Sequence, residues 1–251
     1  MTTDLSVCRD ALNRDPVLYL DLTEAVRRGD GRVLGAVPGG ALVAFTNLID
    51  GPDYGYTMFA DDRETAQALC GLIPPAPGFI TVHERDYFDL LGERFGFSEI
   101  NACWQVAYLH IAPPSLPELG VEVRPLEASH LPAVCANYQM EDEEYLSWLI
   151  GRGGMIGAFD GDTLMAFAGC HAEGSMGLLE VLPQYRRQGL ATLLQSWLIK
   201  LELTWGHIPY GQVFDGNKPS LALQQSLGMT RSIGKLYWAA PSGQLFPVKE
   251  F

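Results

Sequence analysis

The feature that most constrains the fold of this chain is an approximate internal repeat. Residues 33–45 align with residues 155–167, with identities at Gly, Ala, Gly, Leu, Ala and Phe. Both segments are typical of a β-hairpin, the first turning at Pro-Gly and the second at Asp-Gly. A second match aligns residues 91–97 with 223–229, where an apolar helix pattern ends at a glycine before a strand. These matches predict two similar halves.

A proline-rich segment without hydrophobic periodicity lies between the two halves, at residues 112–120. Such a composition is typical of a linker. We therefore predict one domain over residues 1–112, a linker over 113–120 and a second domain over 121–251.

Composition limits the classes of partner. Hydrophobic residues make up 47% of the 251 residues and charged residues 19%, which predicts a folded globular protein. The formal net charge is -13, so the surface field disfavours nucleic acids and anionic membranes. Proline and glycine interrupt the longest uncharged runs, and no basic segment followed by an apolar one opens the chain. The five cysteines form no C-x-x-C pair, so we expect a reduced, cytoplasmic protein without a metal.

The most informative stretch is a predicted strand, turn and helix. Residues 175–182 form a buried strand pattern, and an amphipathic helix pattern starts at Leu190. Between them, Arg186, Arg187 and Gly189 supply positive charge and a flexible turn at the start of the helix. Unpaired N–H groups and the helix dipole bind phosphate at such a position. Taken alone, the R-x-x-G-x-A pattern is a weak signal and is more typical of a solvated basic turn before a helix.

Over residues 120–240 the chain resembles the GNAT superfamily of acyl-CoA-dependent N-acyltransferases. The resembling elements, in order, are the Asp160-Gly161 hairpin, the strand 179–183, the loop 186–191 and the segment 217–229. The similarity is strongest to tandem-GNAT proteins such as those related to glycine N-acyltransferases. It implies a mixed α+β fold of two tandem GNAT-like domains, each a bent mixed sheet flanked by helices, the N-terminal copy being degenerate.

The resemblance also implies acetyl-CoA, or another short acyl-CoA, as co-substrate. It assigns the pantetheine arm and thioester to backbone groups of two strand residues and the pyrophosphate to the loop that follows. The implied cofactor-binding residues are Val181, Leu182, Arg186, Arg187, Gln188, Gly189, Leu190, Ala191, Thr192, Asn217 and Ser220.

The equivalent stretch of the N-terminal half lacks these features. Residues 55–64 have no glycine at the turn and place Asp61 and Asp62 where a phosphate would lie. Because like charges repel, we expect this copy to bind no cofactor. Its predicted role is structural.

Acyl transfer to an amine requires a group that accepts the amine proton. Glu180 is the first candidate, because a glutamate in a largely apolar strand is either paired, functional or directed to solvent. A water-bridged pair of His171 and Glu173, just before this strand, is the second candidate, although both residues also suit a surface turn. The acidic run 141–144 favours a helix start, with a negative lip for a cationic amine as the alternative.

One position departs from the family pattern. Many GNAT enzymes carry a tyrosine that protonates the thiolate, and counting from Asn217 places Gln224 there. An amide donates a hydrogen bond but delivers no proton. Tyr210 and Tyr237 are possible substitutes, although both are also typical packed strand residues.

These features together predict an N-acyltransferase whose acceptor is a primary amine of a small molecule or amino acid. It is expected to act by direct transfer, as a monomer or homodimer. Two alternatives stay open. Gln224 and the degenerate copy are compatible with a non-catalytic acyl-CoA sensor. A tandem-GNAT peptidyl-transfer enzyme that uses aminoacyl-tRNA is disfavoured by the charge of -13.

Overall fold

The computed structural model describes residues 1–45 and 55–243. Short 3-10 turns precede several helices. In chain order, the helices and strands of the first part are α1 (Arg9–Leu12), α2 (Leu20–Arg28), β1 (Gly31–Val37), β2 (Gly40–Phe45), β3 (Gly55–Ala60), α3 (Arg63–Cys70), β4 (Phe79–Val82), α4 (Phe88–Phe95) and β5 (Glu99–Ala107). Those of the second part are β6 (Glu122–Pro125), α5 (Leu131–Asn137), α6 (Glu143–Gly151), β7 (Met155–Asp160), β8 (Thr163–Cys170), β9 (Met176–Val181), α7 (Leu190–Thr204), β10 (Tyr210–Phe214), α8 (Lys218–Ser226), β11 (Thr230–Arg231) and β12 (Leu236–Ala240).

Both predicted hairpins are confirmed. β1 and β2 pair antiparallel across the turn at Pro38 and Gly39, and β7 and β8 pair across Gly161. Gly161 has a φ of 57°, a left-handed conformation that glycine adopts without the steric cost of a side chain. The helix end at Gly96 is confirmed as well, since this residue follows α4 with a φ of 72°. Mixed helices and sheets therefore form the predicted α+β architecture.

The chain divides into two compact units that interleave along the sequence. The first comprises residues 1–106, 212–221 and 230–251, of which 46–54 and 244–251 lie outside the described residues, and the second comprises residues 107–211 and 222–229. The predicted domain ranges, 1–112 and 121–251, stay a prediction. The C-terminal strand β12 belongs to the first unit because it pairs with β4 and β5.

The first unit contains a sheet with the strand order β1-β2-β3-β4-β12-β5-β10, and β11 pairs with β5. β12, the last strand of the described chain, is antiparallel to both of its neighbours, with Trp238 opposite Thr81 on β4 and Asn101 on β5. Its residues Leu236 and Ala239 belong to the buried clusters on the two faces of this sheet. The C-terminal segment thus completes the first unit's core.

The second unit contains a four-stranded sheet in the order β6-β7-β8-β9. Helices α5 and α6 pack on one face through Val134, Leu146 and Leu149, which contact Phe159 and Phe167 of the sheet. Helix α7 contacts β7, β8 and β9. The order leaves β9 at the end of this sheet, directly before the loop that leads into α7.

No helix in the described part of the chain is both long enough and apolar enough to cross a membrane.

Candidate acyl-CoA site

A bulge at Leu178 and Leu179 bends β9 shortly before the strand ends at Val181. Its residues Leu178 and Leu179 oppose the single residue Ala168 of β8, because the pairing shifts between Gly169 and Phe167. Leu178 adopts a φ of 54°, which costs a side-chain-bearing residue about 1 kcal/mol or more. A bulge increases local twist and changes where the following side chains point. It therefore fixes the direction in which the last three residues of β9 run.

Beyond the bulge, one edge of β9 is open. The Leu182 N–H donates to the Met165 carbonyl on β8 at 3.0 Å, and the Leu182 carbonyl accepts from Tyr185 at 2.8 Å. Because successive residues of an antiparallel strand point to opposite edges, the N–H of Val181 points away from β8. β9 has no second neighbour among the described strands. Val181 therefore offers a backbone donor, whereas both backbone groups of Leu182 already have partners.

The loop after β9 has the shape of an anion cradle. Arg187 and Gly189 are both left-handed, with φ of 64° and 85°. The first helical hydrogen bond of α7 runs from Leu193 N–H to the Gly189 carbonyl at 3.0 Å. The N–H groups of residues 190–192 precede this bond and have no acceptor inside the helix. No side chain caps α7, so these donors stay available to an external anion.

The surroundings of the cradle keep it accessible. Residues 186–189 are exposed, while Leu190 is buried and anchors the start of the helix. A Cβ added to Gly189 would lie 3.4 Å from Leu119 and would also stand on the left-handed backbone. Both observations fit the predicted pyrophosphate position, because a phosphate needs close approach to N–H groups that no side chain covers.

Glu180, the first predicted base, is ion-paired with the loop. Its carboxylate accepts a hydrogen bond from Arg186 Nη2 at 3.0 Å, and Arg186 Nε donates to the Val181 carbonyl at 3.1 Å. Two predicted site residues thus lie together, although they were predicted for different tasks. Arg186 thus connects the loop to the end of β9. Its neighbour Arg187 makes no ion pair with a described residue.

The side chains of His171 and Glu173, predicted to act as a pair, contact different partners. The Glu173 carboxylate accepts a hydrogen bond from the Ser175 hydroxyl, and its carbonyl accepts one from Tyr210 at 2.8 Å. The His171 ring instead lies beside Glu141, with 3.7 Å between Nδ1 and Oε1. Its Nδ1 also lies 3.4 Å from the Tyr145 hydroxyl.

Glu141 is a residue to which sequence reasoning gave no catalytic role. Burial raises its pKa to about 7, the charge of His171 opposes this rise, and Glu173 and Asp142 reinforce it. Burial together with the charges of Glu141 and Glu180 also raises the pKa of Tyr138. The acidic run held the only sequence signal: Asp142 caps α6 by accepting the Tyr145 N–H at 2.7 Å, while Glu143 and Glu144 are exposed. Glu141 lies just outside the helix, and its half-buried side chain points towards His171.

Asn217 and Ser220 lie in the first unit, at the start of α8. The Asn217 side-chain oxygen accepts the Ser220 N–H at 3.0 Å, which is a helix-capping contact. This confirms the predicted turn into a helix. Cofactor contact by these two residues stays a prediction.

Gln224 belongs to the second unit and is buried, with a relative exposure of 6%. Its Oε1 has no hydrogen-bond partner among the described residues. Of the two possible substitutes for a proton donor, Tyr210 is fully buried and donates its hydroxyl hydrogen to the Glu173 carbonyl. Tyr237 lies on β12 in the first unit.

The equivalent strand of the N-terminal half is closed. β3 pairs with β2 on one side and with β4, in parallel, on the other, from Gly55 opposite Phe79 to Met58 opposite Val82. After β3, Asp61 is ion-paired with Arg14 and Asp62 caps α3. The open edge and the glycine cradle of the second unit therefore have no counterpart in this strand and turn.

Comparison with known proteins supports this assignment of the fold. Residues 155–239 match the family model described as FR47-like protein. A Drosophila protein of known structure is similar over 96% of this chain and 95% of its own, with a TM-score of 0.68 at 15% identity. A putative GNAT-family acetyltransferase from Novosphingobium aromaticivorans matches over 89% and 95% of the two chains, with a TM-score of 0.55 at 17% identity.

A GCN5-related N-acetyltransferase from Sphaerobacter thermophilus matches over 94% of this chain and 89% of its own, with a TM-score of 0.54 at 16% identity. A search of curated proteins finds no match to this sequence. The chain therefore has the GNAT fold, and its residues 155–239 carry the FR47-like pattern. The predicted resemblance to GNAT proteins is confirmed for the fold.

Proposed function

We propose that this protein is an acyl-CoA-dependent N-acyltransferase that acts on a primary amine of a small molecule or amino acid by direct transfer. One observation carries the proposal: an open β9 edge leads directly into a left-handed glycine turn with free N–H groups at the start of α7. This arrangement suits an extended arm that ends in a pyrophosphate. The N-terminal half, closed at the same place, has a structural role.

The proposal assigns the groups of the chain as follows. The N–H groups of residues 190–192 and the side chain of Arg187 would hold the pyrophosphate, and Val181 N–H would donate to the arm or the thioester carbonyl. Acetyl-CoA or another short acyl-CoA would supply the activated acyl group. The protein would act in the cytoplasm as a monomer or homodimer, without nucleic acid, membrane or metal. The five cysteines are odd in number, widely spaced and form no C-x-x-C pair, which supports a reducing compartment.

Calorimetry with CoA tests the binding half of this proposal. In Gly189→Val, we expect an affinity loss of at least roughly tenfold, since even one lost charge-assisted hydrogen bond contributes about 1.5–3 kcal/mol. Gly161→Val is the matched control, because Gly161 is also left-handed but lies in the hairpin turn with no atom within 4 Å of an added Cβ. Equal CoA affinity in the two variants would place the pocket elsewhere.

A thiol-release assay with acetyl-CoA and a panel of primary amines tests the chemical half. Amine-dependent release of CoA supports the transferase. The second candidate function, a non-catalytic acyl-CoA sensor, is favoured by the amide at Gln224 and by the ion pair that engages Glu180. CoA binding without release in the presence of any amine would support the sensor.

A further inference from the structure

We propose that Glu141 is a positioning residue for His171, and that His171 Nε2 takes the proton from the amine. This inference rests on the transferase proposed above. It replaces the predicted His171/Glu173 pair by a pair in which the carboxylate comes from the segment between α5 and α6.

The position of His171 is set by the backbone of β9. A Cβ added to Gly177 would lie 2.7 Å from His171 Nε2, so the ring fills the space that a side chain would otherwise occupy. Gly177 directly precedes the bulge at Leu178. The imidazole therefore lies against the same strand whose end carries the open edge.

The two ring nitrogens have different surroundings. Nδ1 faces Glu141 Oε1 at 3.7 Å and the Tyr145 hydroxyl oxygen at 3.4 Å, whereas Nε2 has no hydrogen-bond partner among the described residues. A carboxylate near Nδ1 favours the tautomer that carries its hydrogen there. This tautomer leaves the lone pair of Nε2 free to accept a proton.

Packing restricts the ring further. The Tyr145 ring stacks on His171 with an interplanar angle of 20°, and the Tyr145 hydroxyl oxygen accepts the Ala172 N–H at 3.0 Å. Tyr145 is itself fixed by the Asp142 cap of α6. A ring held on one face by a tyrosine and on one edge by a carboxylate has little freedom to turn Nε2 away.

The charge state of Glu141 gives this arrangement a pH dependence. The groups that face it are His171 and Glu173 from the segment between β8 and β9, Asp142 beside it, and the hydroxyls of Tyr138 and Tyr145. Burial raises the pKa of Glu141 to about 7, with Glu173 and Asp142 adding to the rise and the charge of His171 opposing it. The Glu141 carboxylate is therefore ionised above about pH 7. As the pH falls below 7 it becomes protonated and no longer favours a hydrogen on His171 Nδ1.

The proton transfers balance as follows. The ammonium group of the acceptor gives one proton to His171 Nε2 and becomes a free amine. A bond forms between the amine nitrogen and the acyl carbon, and the carbon–sulfur bond breaks with its electron pair on sulfur. The second proton of the amine passes to that thiolate, directly or through solvent, so that amide and free thiol result.

The test compares Glu141→Gln and His171→Ala with Glu144→Gln, an exposed member of the same acidic run. We expect His171→Ala to lower kcat roughly 10²–10⁴-fold without loss of CoA affinity, and added imidazole to restore part of the rate. Glu141→Gln should lower kcat and abolish the rise of activity through about pH 7. The control variant should keep the wild-type profile.

A second measurement needs no acceptor. In protein labelled with ¹³C at the glutamate carboxyls, we expect the Glu141 signal to titrate at about pH 7, and at higher pH in His171→Gln, since the histidine charge lowers this pKa. Titration of Glu141 in the ordinary range, unchanged in His171→Gln, would overturn the pair even if transfer occurs. Wild-type protein that shows the coupled titration but no transfer would refute the proposed function and leave the pair intact.

Discussion

A buried ion pair in the first unit joins Asp21 of α2 to His83, which directly follows β4, and predicts a steep loss of stability at mildly alkaline pH. His83 Nε2 lies 3.0 Å from Asp21 Oδ1, and His83 Nδ1 lies 3.0 Å from the Met58 carbonyl on β3. The Thr57 hydroxyl donates to the other carboxylate oxygen of Asp21 at 2.6 Å. Both charged side chains are almost wholly inaccessible, with 0% and 1% exposure. The network reinforces the seam that closes the N-terminal half.

The magnitude follows from the protonation of His83. Burial lowers its pKa, but the charge of Asp21, its hydrogen bond and the charge of Glu84 outweigh burial and raise the pKa from 6.5 to about 9. Each unit of difference corresponds to about 1.4 kcal/mol, so the protonated pair contributes ~3 kcal/mol. Because the folded-state pKa is the higher one, this contribution is complete below pH 6.5 and is lost as the pH rises through about 9.

Urea denaturation of the protein at several pH values between 6 and 9 measures this effect. We expect the free energy of unfolding of the first unit to fall by ~3 kcal/mol over that range in wild-type protein and to stay nearly flat in His83→Gln. Asp21→Asn serves as a second variant, and its loss of about 3–5 kcal/mol below pH 7 reports the same pair from the other side. A wild-type stability that is flat between pH 6 and 9 would refute the reasoning.

Three further predictions concern the candidate site. Calorimetry should give a CoA:protein ratio near one, and a ratio near two would contradict the closed N-terminal half. Arg187→Gly should raise the melting temperature slightly and lower the CoA affinity. Glycine adopts the left-handed backbone without the steric strain of a side chain, a gain of roughly 0.5–1 kcal/mol. Parallel changes of stability and affinity would argue against phosphate binding at this turn. Glu180→Gln should change stability by less than about 1 kcal/mol, since its pair with Arg186 is partly exposed, so a rate loss of 10²-fold or more measured in the thiol-release assay would return Glu180 to the mechanism.

Local sequence signals predicted the elements around the site well. The buried strand pattern at 175–182 corresponds to β9, and the helix predicted from Leu190 begins at that residue. Glycines at positions that need a left-handed backbone, such as Gly161 and Gly189, explain this success. Each depends on a steric requirement that one residue and its neighbours determine.

Contacts between distant segments were not predictable in this way. Glu141 belongs to an acidic run whose other members cap or begin α6, and only the folded chain shows that it faces His171. The insertion of β12 between β4 and β5 likewise joins residues more than a hundred positions apart. Hydrophobic periodicity marks both strands but carries no record of their partner. The ion pair between Glu180 and Arg186 was not predicted, because the sequence suggested Glu180 as a base and Arg186 as a pyrophosphate ligand.

The two halves differ in strand pairing more than in local structure, and this difference explains why the candidate site of the second half has no counterpart at the equivalent strand of the first. In the first half, β4 lies in parallel beside β3 and satisfies its second edge. In the second half, the strand that follows α7 along the chain, β10, belongs to the other sheet, so β9 keeps an edge without a strand neighbour among the described residues. An edge strand exposes N–H and C=O groups that can pair with another extended chain. Where that edge runs into a glycine turn at a helix start, the extended partner best suited to it is a flexible arm that ends in phosphate.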